Sequence, residues 1–142
     1  VKYDGYNFTT YTTRDGLSDN EIFEAYQDSK KRIWFSTYNG IPTMYGNGSF
    51  YSFEQAFKSA GKPAVGPCYR IMETPGSLWF LNRKALYKFH NNKIYSFDAN
   101  DNSFVSMIYH PPTEKLYVFF AAKSKIITID KKNKIDTIDI KQ

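Results

Sequence analysis

Cysteine is almost missing from this sequence: Cys68 stands alone among 142 residues. One thiol excludes an intrachain disulfide and a thiolate zinc cluster. The two histidines, His90 and His110, fall at strand-to-turn junctions, with no third partner for a metal site or a catalytic triad. Phosphate loops and dinucleotide fingerprints are missing too. No apolar run approaches the roughly 18 residues that cross a bilayer, and no signal peptide opens the sequence. The expectation is a non-catalytic chain with no metal and no cofactor, either cytoplasmic or separate from its targeting and anchoring segments.

Charge of one sign is also thin. The net charge is +5, from 19 basic and 14 acidic residues. Residues 51–100 hold most of the excess, yet it is too scattered for the basic stripe of a nucleic-acid reader. Aromatics are abundant instead: 12 Tyr, 12 Phe and 2 Trp, a density that favours pleated strands over helices.

The aromatics repeat. Glu21–Gln27, Arg32–Thr37, Ile41–Tyr45 and Ser49–Phe53 read as four short strands joined by turns at Asp28–Lys31, Asn39-Gly40 and Asn47-Gly48. Tyr69–Glu73, Leu78–Leu81, Ala85–Phe89 and Lys93–Phe97 restart the cycle. Phe104–Tyr109, Lys115–Phe120, Lys125–Asp130 and Lys134–Ile138 complete a third pass. Trp34, Trp79 and Tyr117 share one slot; Phe50, Ile94 and Ile135 share another. Four strands per unit of about 40–45 residues is the period of a β-propeller blade. The predicted fold is all-β: a partial β-propeller of three four-stranded antiparallel blades, with an extra N-terminal strand at Tyr6–Tyr11. It forms one domain over residues 1–142, with blades at about 20–53, 69–97 and 104–140. Phe53, Ala56, Phe57 and Ala60 recur at helical spacing, so residues 52–62 read as a helical insertion capped by Ser52 and Gln55.

The stretch Phe8–Phe53 carries Asp15-Gly16-Leu17-Ser18-Asp19-Asn20, then Gln27-Asp28, Ile33-Trp34-Phe35-Ser36-Thr37 and Asn39-Gly40-Ile41. In this order and spacing it resembles the two-component regulator propeller repeat. Lys31 stands where that repeat usually has glycine, and Pro42 is unusual in a third strand. The resemblance implies the periplasmic propeller of a membrane-anchored sensor histidine kinase, often a hybrid, responding to glycan fragments. It implies kinase chemistry elsewhere in the parent chain, and the remaining blades of the parent propeller as partners.

The motif residues themselves read as architecture. Gly16 suits a tight connection, Asp28 suits an Asx turn, and Trp34 suits a wedge between neighbouring sheets. Cys68 reads as a small buried residue. The sequons at Asn7 and Asn47 need no sugar to explain them, since Asn47 lies in a hairpin turn. Two other classes remain open: a propeller that binds another protein, and a sialidase-like glycoside hydrolase. Asp28 and Trp34 resemble an Asp-box turn, but Arg14, Arg32, Arg70 and Arg83 are too few and too spread for a sialidase cluster.

Connections between strands two and three, and between blades, emerge on one rim. The ligand-binding candidates are therefore Tyr38, Asn39, Lys58, Lys62, Arg83, Lys84 and Lys123, whose charge would draw an anionic oligosaccharide. Three blades cannot close a ring, so two sheet faces are expected to stay bare, with Phe35 and Tyr45 at one end and Val118, Phe120 and Ile127 at the other. Such faces predict self-association.

Overall fold

The computed structural model describes residues 1–60, 66–98, 104–120 and 125–139. Three four-stranded antiparallel sheets follow one another along the chain, each a meander with its strands in sequence order. The first blade is β3 (Ile22–Gln27), β4 (Ile33–Thr37), β5 (Thr43–Gly46) and β6 (Ser49–Ser52). The second is β7 (Cys68–Thr74), β8 (Ser77–Asn82), β9 (Ala85–His90) and β10 (Lys93–Asp98). The third is β11 (Phe104–His110), β12 (Lys115–Phe120), β13 (Lys125–Ile129) and β14 (Ile135–Asp139). Two short strands, β1 (Lys2–Tyr3) and β2 (Phe8–Thr9), pair ahead of them.

The turns follow from residues that tolerate a left-handed backbone. Asn47 and Gly48 both have positive φ, as do Asn91 and Asn92, which is the requirement of a two-residue hairpin turn that matches strand twist. The Asp28 turn is wider. Its carboxylate Oδ1 accepts the Lys30 and Arg32 amides at 2.9 Å each, and Lys31 takes φ 60°. Asp130 repeats this in the third blade, accepting from Lys132 and Lys134 around Asn133 at φ 64°. Lys31 thus occupies the glycine slot of the repeat by adopting the conformation that glycine would take.

Blades pack face to face through the shared slot. Trp34 is fully buried, with its ring 5.0 Å from Phe53, 5.5 Å from Phe80 and 5.6 Å from Phe89. Phe57, Cys68, Ile71 and Tyr87 complete that interface. Trp79, Leu81 and Leu86 meet Phe104, Met107, Leu116 and Val118 in the next. Polar links run alongside: the Ile71 amide donates to Glu24 at 2.6 Å, and Ser29 donates to Glu73 through both its amide and its hydroxyl.

One expectation is met in part and three need correction. The expected N-terminal strand is present but shorter than Tyr6–Tyr11, as β2, and it has a partner, β1, across a turn where Asp4 accepts the Tyr6 and Asn7 amides. The helix α1 spans Glu54–Ser59 with Phe53 at its N-cap, and the Ser52 hydroxyl accepts the Glu54 amide at 3.3 Å, so Ser52 lies one residue before the cap and the Ser52–Gln55 box does not form; residues 61–65 lie outside the described residues. The third strand begins at Thr43, which leaves Pro42 outside the ladder, where its missing N–H costs nothing. Val118 does not face an open end. It pairs with Met107 and Ile127 on the side turned toward the second blade and is fully buried, and Phe120 and Ile127 pack on the same core. The outward face of the third blade carries Ile108, Tyr117, Phe119, Ile126 and Ile138 instead, one residue out of phase.

Candidate functional site at the aromatic rim

The pairing slips at the same place in every blade. In β3, β7 and β11 a register shift falls between Ile22 and Glu24, between Cys68 and Arg70, and between Phe104 and Ser106. The skipped residues are Phe23, Tyr69 and Val105, and each is exposed, at 44%, 49% and 57%. A bulge adds one residue and re-aims its side chain, so three apolar groups point outward from the blades' first strands. Tyr38, 54% exposed in the connection from β4 to β5, joins them. Its ring lies 6.3 Å from Phe23, and Phe23 lies 5.6 Å from Tyr69. Three accessible rings from two blades therefore form one platform, suited to stacking on the apolar face of a planar or pyranose ligand.

The loop under this platform is tightly held. Thr12 and Asp15 cap a short turn reciprocally, and Gly16 at φ 108° lets the chain pass Phe50. Ser18 donates its amide to Thr43 Oγ1 at 2.9 Å and its hydroxyl to the Ile41 carbonyl. Asp19 accepts the Asn39 amide at 3.1 Å, and Tyr38 donates its amide to the Glu21 carbonyl at 3.0 Å. The motif from Asp15 to Asn20 is thus a brace that fixes where Tyr38 stands, and a fixed platform loses little entropy on binding.

Of the charged and polar candidates, only some are placed to meet a ligand. Asn39 is committed to the fold: Nδ2 donates to the Ser18 carbonyl at 2.6 Å, while Oδ1 accepts from Thr37 Oγ1 and the Ile41 amide. These bonds make Asn39 a fastener of the connection from β4 to β5. Lys58 pairs with Glu54 at 2.7 Å on α1, which offsets its charge. Arg83 and Lys84 are exposed in the β8–β9 connection. Lys62 and Lys123 lie outside the described residues. The bulges could not be found from the sequence, because a single extra residue in a short alternating strand leaves no compositional mark. Phe23 and Tyr69, facing outward beside polar neighbours, were the available hint.

Two clefts open on the other rim, formed by the turns after first and third strands. One, of about 180 Å³, lies between the second and third blades, lined by Trp79, Lys88, Glu114 and Lys131. Lys88 is buried there, donating to Asn133 Oδ1 at 2.7 Å, with its ammonium 5.2 Å from the centre of the Trp79 ring. Burial lowers the Lys88 pKa, against the pull of Asp130. The other cleft, of about 450 Å³, runs between Arg32, Glu73, Phe89 and Asn92. His90 Nδ1 lies 2.8 Å from the Gly76 carbonyl, and His110 Nδ1 lies 2.9 Å from Thr113 Oγ1, so both histidines hold turns. Burial pushes the Cys68 thiol up to about 12, which leaves it protonated and unreactive at neutral pH. Among the described residues, no three His, Cys, Asp or Glu side chains gather as a metal site, and no helix is long and apolar enough to cross a membrane.

Comparison with known proteins adds to this geometry. Residues 16–39 match the family model of the two component regulator propeller. These residues hold the brace, the Asp28 turn and the Trp34 strand. No curated protein sequence matches the chain. Among solved structures, the chain is similar to the extracellular domain of a protein described as the hybrid two component system BT4673 from B. thetaiotaomicron. The TM-score is 0.73 at 15% identity, covering 94% of this chain and 18% of that one. The extracellular domain of hybrid two component system BT3049 from the same organism gives 0.68 at 18% identity, covering 93% and 19%. Virginiamycin B lyase from Staphylococcus aureus, solved in a catalytically inactive form, gives 0.65 at 15% identity, covering 89% and 44%. The fold is that of propeller blades, and the chain spans about a fifth of the length of the two extracellular domains.

Proposed function

We propose that this chain is a non-catalytic, ligand-sensing part of a propeller in the periplasmic sensor region of a two-component histidine kinase. The observation that carries this reading is the match of residues 16–39 to the regulator-propeller repeat, over the residues that brace the aromatic rim. Similarity to two extracellular domains of hybrid two component systems supports the location. In this reading kinase chemistry and membrane anchor belong to the parent protein, whose remaining blades are the partners of these three.

The ligand class that fits the rim is an oligosaccharide. Sugar rings present flat C–H faces to Phe23, Tyr38 and Tyr69, and Arg83 and Lys84 favour an acidic one. The test is calorimetric titration of neutral and uronic or sulfated oligosaccharides into the chain, its Tyr38→Ala variant and its Arg83→Ala variant. The reading expects binding that Tyr38→Ala weakens about tenfold or more, a loss of about 1.4 kcal/mol, with Arg83→Ala weakening only the acidic sugars. Equal or absent binding of both sugar classes in all three proteins contradicts it.

A further inference from the structure

The N-terminal hairpin repeats the outer half of a blade. Tyr3 pairs with Phe8 across β1–β2, with their rings stacked 4.6 Å apart. Tyr45 pairs with Phe50 across β5–β6, at 4.8 Å, and Phe89 pairs with Ile94 across β9–β10. Tyr3 and Phe8 precede Tyr45 and Phe50 by 42 positions, and those precede Phe89 and Ile94 by 44. Spacing, pairing and ring contact all give β1 and β2 the positions of third and fourth strands of the repeat.

The surface beside the hairpin has the matching socket. Between the first two blades, Trp34 rests on Phe53, Phe80 and Phe89. One repeat earlier, those three positions are Tyr11, Phe35 and Tyr45. Tyr11 lies 6.4 Å from Tyr45 and 5.1 Å from Phe50, and Phe35 lies 6.0 Å from Phe50. Tyr11, Phe35 and Tyr45 are all half-buried, whereas Phe80, the counterpart of Phe35, is 1% exposed beneath Trp34. The indole of Trp34 makes that difference at Phe80. Tyr3 and Phe8 remain 58% and 74% exposed, on a two-stranded hairpin of a kind that is marginal alone in water.

We propose that this surface receives a two-stranded β-hairpin of the repeat's own inner type, whose second strand hydrogen-bonds to β1 and seats a tryptophan against Tyr11, Phe35 and Tyr45. The chemistry of the occupant follows from Asp28–Trp34: an alternating strand, a turn headed by aspartate, and an indole six residues later whose N–H that aspartate accepts. This rests on the repeat architecture and not on the sensing role. The experiment below contains no sugar, so it stands or fails independently of ligand binding.

The test places a second copy of residues 20–42 ahead of Val1, a junction that reproduces the natural step from Pro42 to Thr43. Amide exchange of Lys2–Thr9 is then compared with that in the unextended chain. The extended chain is expected to slow exchange across β1 and β2 about tenfold or more, with that gain lost when the copy carries Trp34→Ala. Unchanged exchange at Lys2–Thr9, while Leu78–Leu81 stay protected, overturns the proposal. So does protection of Lys2–Thr9 in the unextended chain that rises with protein concentration, because a second copy would then be the occupant. If the extended chain fails to fold, a cyclised peptide of residues 20–37 is titrated into the unextended chain. Resonance shifts at Tyr3, Tyr11, Phe35 and Tyr45 support the proposal, and their absence at saturating peptide overturns it.

Discussion

Trp34 donates its indole N–H to Asp28 Oδ2 at 2.8 Å, so the residue that wedges the first two blades together also closes the first hairpin. Arg32 Nε donates to the same oxygen at 2.7 Å, and its guanidinium stands over the indole. Truncation and loss of the bond are separable. Trp34→Ala is expected to cost about 3–5 kcal/mol through the cavity it leaves. Trp34→Phe, which keeps most of the packing and leaves Arg32 donating to that oxygen, is expected to cost about 1–2 kcal/mol for the one bond lost. Chemical unfolding of both variants checks the order; equal losses would mean that the ring packing contributes nothing, and an unchanged Trp34→Phe that the hydrogen bond contributes nothing.

Acid should weaken this hairpin in a defined window. Burial alone raises the Asp28 carboxyl, but the bonds from Trp34 and Arg32 and the Arg32 charge outweigh it, holding the pKa below its ordinary 3.8. The stability that Asp28 contributes is therefore full above the unfolded-state value. It is lost as pH falls through the lower, folded-state value. Unfolding midpoints measured from pH 6 to pH 2 are expected to fall less steeply below about pH 4 in Asp28→Asn than in the native chain. Parallel slopes would contradict the assignment.

The propeller was legible because its determinants are local. Asn47-Gly48 and Asn91-Asn92 mark turns by backbone chemistry, and Trp34 and Trp79 mark one slot by period. The extra N-terminal strand was legible but its partner β1 was not, because Asp4-Gly5 was not taken as a turn, although Asp4 accepts two amides there. Face assignment in the third blade slipped because β12 and β13 are apolar on both sides, and alternation in Leu116–Phe120 gives no sign of which side is buried. The candidate rim was legible only at Tyr38, since the bulges that aim Phe23 and Tyr69 depend on strand pairing and leave no local signature.

Backbone conformation gives a paired prediction. Lys31 sits at φ 60°, where a side chain costs roughly 1–2 kcal/mol, partly offset in glycine by a more disordered unfolded state. Lys31→Gly is expected to stabilise by up to about 1 kcal/mol. Gly16→Ala is expected to destabilise by about 1–3 kcal/mol, because φ is 108° and an added Cβ meets Phe50 Cβ at 3.0 Å. Thermal unfolding reads both signs; two shifts in the same direction would refute the backbone argument.

The outward face of the third blade leaves Ile108 at 55% and Ile138 at 44% exposed beside Tyr117, Phe119 and Ile126. This face predicts association of the separate chain. Light scattering after size exclusion is expected to give a mass above 16.5 kDa at low micromolar protein. Ile108→Lys with Ile126→Lys is expected to lower it. A stable 16.5 kDa species before substitution would contradict the prediction.

The central claim is that ligand meets the chain at the bulged aromatic rim. The most direct measurement is NMR titration of an oligosaccharide that binds, following ring resonances of Phe23, Tyr38 and Tyr69 against the indole of Trp79, which lines the opposite cleft. The account predicts saturable shifts of the three rim rings with Trp79 unmoved. Saturable shifts at Trp79 and Lys88 with the rim rings unmoved would contradict it.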